Sequence, residues 1–184
     1  MNELSEHLSK LLEESVSDAF LATISLVPKQ IENEVMLDDE CIISSIGFIG
    51  SIEGSIAICL PNSSACQIVS RMIHSTLDDA NREVIDGIAE QINMIAGGVK
   101  MKLMKETEHS FEISIPTTIK GNRMVILSDF SNTHRISFHY CFEDIVFSLS
   151  LIYKLREDKN ELEQKKKNAR SRAFDRLNKL MGEK

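Results

Sequence analysis

Apolar residues recur at helical spacing from the start of the chain. Leu4, Leu8, Leu11, Leu12, Val16, Phe20 and Leu21 fall on one face and predict an amphipathic helix over 3–26, stopped by Pro28. The pattern then changes. In ECIISSIGFIGSIEGSIAICLP (40–61) β-branched residues crowd together and Gly47, Gly50 and Gly54 punctuate them, which predicts two strands joined by a tight turn near Gly50–Glu53. Pro61-Asn62 closes the second strand, and residues 63–75 predict a short helix. Asp78 or Asp79 stands where it can cap a longer helix that runs to about Lys105. Beyond it FEISIPTTIKG (111–121), MVILSDF (124–130), HRISFHYCF (134–142) and DIVFSLSLIY (144–153) read as strands, the last two as a hairpin turning near Glu143-Asp144. From Lys154 the pattern is helical and highly charged, with a thin apolar stripe of Leu155, Leu162, Ala169, Leu177 and Leu180.

Helices segregated from antiparallel strands predict an α+β fold rather than a parallel βαβ sheet. The expected organisation is one domain over 1–153, an antiparallel sheet packed against long helices, and an extra charged C-terminal helix over 154–184. Each half of the domain offers a long helix followed by strands, a faint internal echo.

Charge sharpens the division. The whole chain carries −7, from 21 Lys/Arg and 28 Asp/Glu. Residues 154–184 hold 11 of the basic and 6 of the acidic side chains, so the tail is +5 and the remainder −12. An acidic body is a poor nucleic-acid surface. With aromatic residues at 5% and no Trp, base-stacking platforms are also scarce. A mixed basic run is most often a solvated helix face; its other readings are a handle for an acidic partner, a membrane surface or nucleic acid. Cys41, Cys59, Cys66 and Cys141 form no C-x-x-C pair, and most lie in predicted strands, where a thiol serves as a small hydrophobe. The N-terminus lacks a signal-peptide pattern, and no apolar run has the length of a membrane span. The expectation is a cytoplasmic protein without membrane insertion.

One stretch of the long helix, DGIAEQINMIAGGVKMKL (86–103), stands apart. Asp86, Glu90, Asn93 and Gly97 are spaced 4, 3 and 4 apart and share a face. Val84, Ile88, Ile92, Ile95, Val99 and Leu103 take the opposite one. Two adjacent glycines in mid-helix are costly, at about 1 kcal/mol each against alanine. Gly97 lies on the polar stripe and would let something come close. Gly98 lies off it and suits close packing against a neighbouring element. Asp, Glu and Asn on an exposed helix also serve simply to keep it soluble, so spacing alone leaves their role open.

The residues Asp86-x3-Glu90-x2-Asn93-x22-Pro116 match the pattern Asp/Ser-x3-Glu-x2-Asn-x22-Pro at every position. In this they resemble the CheC/CheX/flagellar-switch family of phosphatases that act on phosphorylated response regulators. The likeness extends over roughly 3–153. IGFIGSIEGSIAICLP resembles the family's Gly-punctuated hairpin, NMIAGGVKMKL its helix continuation, and ISIPTTIKG its Pro-bearing strand. The CheX branch is favoured. CheC-type members carry a second Glu-x2-Asn on the first helix, whereas here Glu13 is followed three later by Val16 and Glu14 by Ser17. One site per chain is expected, and the basic tail departs from the compact CheX-like pattern.

The resemblance implies a substrate, the aspartyl phosphate of a CheY-like receiver domain, and a homodimer joined through the sheet. The receiver brings its own Mg²⁺ and lysine, so no cofactor of this chain's own is expected. What remains is to place a water in line with phosphorus, and phosphoryl transfer is mainly positioning plus charge stabilisation. A carboxamide suits that task, as the water-orienting glutamine of small GTPases illustrates. Asn93 is the candidate for the attacking water. The resemblance implies that Glu90 pairs with the regulator's active-site lysine; general-base action is its lesser reading. Asp86 either steers a basic patch on the partner or solvates the helix. Gly97 would admit a partner loop, and Pro116 would shape the strand beside the helix. His134 and His139 sit on opposite faces of one strand with no further ligands, so no metal site is expected. A non-catalytic regulator-binding adaptor or oligomerising scaffold is the rival reading.

Overall fold

The computed structural model describes residues 3–32, 40–122, 124 and 133–156. The chain divides into two compact units, Met1–Lys154 and Leu155–Lys184. The strand expected over 124–130 lies outside the described residues except for Met124, as does the charged tail helix beyond Arg156.

The first helix, α1, spans Glu3–Ile24 and buries Leu8, Leu11, Leu12, Val16 and Phe20. It stops before Pro28 acts. Ser25 adopts a left-handed φ of 56°, and its N–H donates to the Leu21 carbonyl at 3.1 Å. A short strand follows, β1 (Lys29–Ile31), which the pattern did not foresee because three residues carry no periodicity. The Gly-punctuated stretch forms β2 (Glu40–Gly50) and β3 (Ile52–Pro61), an antiparallel pair with only Ser51 between them. Next come α2 (Asn62–Ile73) and α3 (Arg82–Glu106). The cap of α3 is neither Asp78 nor Asp79. Asn81 holds that position, and its side-chain oxygen accepts from the Val84 N–H at 3.1 Å. Only the residue three before that orphan donor is at the right reach.

The strand expected over 111–121 is two strands, β4 (Phe111–Ile113) and β5 (Thr117–Asn122), both antiparallel to β2. Ile113 pairs with Phe48 and Thr117 with Ser45, so residues 114–116 stand opposite only Ile46 and Gly47. The extra residue makes a β-bulge. Pro116 has no N–H to give a ladder, and it lies inside the bulge. Ser114 fills the gap: its N–H donates to the Gly47 carbonyl at 2.8 Å, and its Oγ accepts from the Gly47 N–H at 3.1 Å. Then β6 (His134–Phe142) and β7 (Ile145–Leu155) form a hairpin that turns at Glu143, whose φ is 53°.

The strands make one seven-stranded sheet in the order β1-β6-β7-β3-β2-β4, with β5 also on β2. The two halves exchange strands. The strand after α1 joins the second hairpin, and the strands after α3 join the first. The faint echo in the sequence thus has a counterpart in the topology. Non-local pairing of this kind fastens each long helix to the other half's hairpin.

The helices cover one face of the sheet. Ile42, Ile46 and Phe48 of β2, Ile56, Ile58 and Leu60 of β3, and Phe147, Leu149 and Leu151 of β7 meet them in one core. Phe20 of α1 stacks on Phe147 with ring centroids 4.9 Å apart. Cys41, Ile43 and Cys59 form a second, smaller cluster with Met124. The cysteines are free thiols, and burial together with the neighbouring Cys41 pushes Cys59 up to about 12. It stays protonated and packs as a hydrophobe.

Two glycine contrasts follow from this packing. A Cβ on Gly54 would meet the Ile152 carbonyl oxygen at 1.9 Å, because β3 and β7 approach closely there. Gly54→Val is expected to destabilise the fold by about 3 kcal/mol in urea unfolding. On α3, a Cβ on Gly97 meets nothing within 4 Å, whereas one on Gly98 meets Ser15 Oγ and Cβ of α1 at 3.0 and 3.1 Å. Gly97→Ala should therefore stabilise by about 1 kcal/mol, the helix-propensity gain alone. Gly98→Ala should fall short of that gain by roughly 1 kcal/mol or more in the same assay, because α1 must give way.

Candidate functional site

The site is built on α3, and α3 is fixed on three sides. Its apolar face is fully committed: Val84, Ile88, Ile92, Ile95 and Leu103 are inaccessible to solvent. One flank meets α1, which runs antiparallel to it. His7 lies 3.5 Å from Glu106 at one end, and Thr23 bonds Gln91 at the other. Between them Gly98 touches Ser15, and Lys102 pairs with Glu14 at 3.2 Å and Asp18 at 2.7 Å. Burial works against the Lys102 charge, but its hydrogen bonds to Asp18 and Glu14 outweigh it, so the ammonium is held more firmly than usual. The other flank meets the strand edge, where Lys100 pairs with Glu112 of β4 at 2.6 Å. Toward its N-terminal end Gly87 packs on Val69 of α2, and among the described residues the fourth side is otherwise left open.

That side carries the predicted stripe. Asp86 and Glu90 are exposed, and Asn93 and Gly97 are half-buried. The structure brings Glu90 and Asn93 together: Asn93 Nδ2 donates to Glu90 Oε2 at 3.5 Å. This is at the long limit for such a bond, so the amide is not locked to its neighbour. Asp86 is one turn away and lies 3.6 Å from Arg82 Nε of its own helix. Both partners are well exposed, and such a pair contributes little. Gly97 opens a gap one turn on the other side of Asn93. Gly98 is half-buried too, but it faces α1 at Ser15 rather than the stripe. Pro116 is half-buried in the bulge between the two strands that α3 lies across, and no bond links it to Asn93.

Gln91 was not legible as a site neighbour. It is fully buried beside Glu90, with Oε1 accepting from Thr23 Oγ1 at 3.0 Å; that hydroxyl also lies 2.9 Å from the Ala19 carbonyl. Gln91 Nε2 is buried without a hydrogen-bond partner. A polar residue sitting between Ile88 and Ile92 on an apolar face was the available signal. Its amide ties α3 to α1 within one turn of Asn93.

Chemically the stripe offers two carboxylates and one carboxamide on a rigid helix, with Glu90 and Asn93 side by side and open to approach. It has no thiol, hydroxyl or imidazole to act as a nucleophile. Among the described residues no cluster of three or more His, Cys, Asp or Glu side chains could hold a metal ion. No described helix is long and apolar enough to cross a membrane.

Comparison with known proteins bears on this arrangement. The family model for chemotaxis phosphatase CheX matches residues 42–141, a span that contains the whole stripe and Pro116. No protein of curated function matches the chain by sequence. Among solved structures, chemotaxis protein CheX from Vibrio vulnificus superposes with a TM-score of 0.71 at 20% identity, covering 80% of this chain and 96% of that one. The CheX in a CheX–CheY–BeF3–Mg complex from Borrelia burgdorferi gives 0.65 at 19% identity, covering 79% and 96%. FliY from Thermotoga maritima gives 0.60 at 12% identity, covering 89% and 96%. At these identities the structural likeness establishes a shared fold, and the family model reaches further: the chain belongs to the CheX family of chemotaxis phosphatases.

Proposed function

We propose that this protein hydrolyses the aspartyl phosphate of a CheY-like receiver domain, with Asn93 orienting the attacking water and Glu90 docking the partner. The observation that carries the reading is the pairing of an unlocked carboxamide with a carboxylate on the one free side of α3, next to a glycine with nothing within 4 Å.

The chemistry follows from what each side lacks. An acyl phosphate is labile, and the receiver contributes Mg²⁺ and a lysine to the reaction. The phosphatase must hold one water in line with phosphorus. The Asn93 carbonyl oxygen accepts from that water, and its NH₂ donates to a nearby oxygen. Glu90 would be repelled by an incoming phosphate unless it met a cation. The receiver's lysine supplies one, and a charge-assisted bond between them sets the register of Asn93 against phosphorus. Gly97 admits the receiver's loop to the backbone of α3. Asp86, loosely paired with Arg82, is free to exchange that arginine for a basic group on the partner.

Asn93→Ala should abolish acceleration of phosphoreceiver decay while keeping the affinity for a beryllofluoride-loaded receiver within about threefold, because alanine is the better helix former and the docking groups remain. Unchanged turnover would remove Asn93 from the mechanism. Glu90→Ala should weaken both binding and turnover, by roughly tenfold or more, as loss of a charge-assisted bond worth about 1.5–3 kcal/mol requires. A normal affinity in that variant would contradict its docking role. Binding without any turnover by the unmodified protein would favour the adaptor.

A further inference from the structure

Beyond Gly97 the free side of α3 changes character. The stripe that begins with Asp86, Glu90 and Asn93 continues through Met101 and Met104, whose side chains are 60% and 53% exposed. At about 100° per residue Met104 lies within about 20° of Asn93 around the helix, and Met101 within about 80° toward α1. On the opposite flank the bulge at 114–116 turns Ile115 outward, 84% exposed. Bulges re-aim side chains in this way. Lys100 and Glu112 hold that strand edge against α3. Met101 and Met104 therefore border the polar stripe at its C-terminal end, and Ile115 stands out from the strand edge on the other flank.

None of the three belongs to the buried core. A partner seated over Asn93 would cover them. A stable protein–protein interface takes about 800 Å² from each side, equivalent to a disc of about 16 Å radius. Along the axis, Met101 and Met104 stand about 12 and about 16 Å from Asn93 at 1.5 Å per residue. A footprint centred on Asn93 takes in Met101 and has Met104 at its rim. Phosphate chemistry at Glu90 and Asn93 is common to every phosphorylated receiver and cannot distinguish one from another. Apolar contact beside it can, and methionine adapts its shape to a facing surface.

Resting on the phosphatase reading above, we infer that Met101, Met104 and Ile115 form the partner-selecting part of the docking surface. They fit a receiver domain that carries an aliphatic patch next to its phosphoaspartate. Selectivity among receivers would then reside in this apolar end, and turnover in the polar end.

The test uses the full chain and purified CheY-like receivers loaded with beryllofluoride and Mg²⁺, with unmodified protein as reference. Met101→Lys/Met104→Lys should raise Kd for the preferred receiver at least tenfold and KM in phosphoreceiver decay by a similar factor, with kcat falling less than threefold. Met101→Leu/Met104→Leu should stay within threefold of the reference, and circular dichroism with thermal melting confirms that both variants fold. Equal Kd for the reference and a folded lysine variant would overturn the inference while leaving the phosphatase reading intact. A changed sedimentation coefficient with unchanged Kd would also overturn it, and would assign the surface to a second copy of this chain. If the unmodified protein accelerates the decay of no receiver, both readings fail together.

Discussion

Everything at the candidate site depends on how α3 is held. Its apolar face is sunk into the core between the sheet and α1, and its two flanks are tied to α1 and β4. A helix held on three sides has one surface left, and its orientation is set by packing rather than by the residues on that surface. Asn93 and Glu90 can therefore be ordinary surface side chains and still point in a defined direction. Gly98 is the point where this matters most. With no side chain it lets α1 approach to contact at Ser15, and that contact turns Gly97 outward.

Strand exchange between the two halves supports the same end. Because β4 and β5 pair with β2 rather than with their own half's hairpin, the strand edge beside α3 is fastened to a distant part of the sequence. Local fraying of α3 would have to break contacts with both halves. Rigidity of this sort is what a water-positioning role needs, since a misplacement of about 1 Å at the reacting geometry can cost about a hundredfold in rate. Little else is asked of the protein if the receiver provides the metal and the cation.

The long elements were legible because their periodicity is strong. The buried face of α3 and the exposed stripe opposite it could be assigned from spacing alone, and so could the hairpins at 40–61 and 134–153. What could not be read has physical reasons. Three residues of β1 carry no pattern, and its place is decided by its partner β6. The cap of α3 fell to Asn81 because Asp78, Asp79 and Asn81 are all competent cap residues, and only the conformation of the preceding loop chooses among them. The split at 114–116 arises from one extra residue relative to β2, which no single strand reveals. Gly97 and Gly98 were separable by their angular position, and the structure gives them the open and the packed role that position implied. Gln91 needed the third dimension, since its bonding to Thr23 links residues 68 apart in sequence. The role proposed for the site rests on a motif, whose spacing alone would equally suit a solvated helix.

The most direct test of the account is the decay of a phosphorylated CheY-like receiver in Mg²⁺, followed with and without this protein over a range of protein concentrations. The decay rate should rise with protein concentration and saturate as the receiver becomes fully bound. A receiver that binds with its phosphate decaying no faster than when free would contradict it.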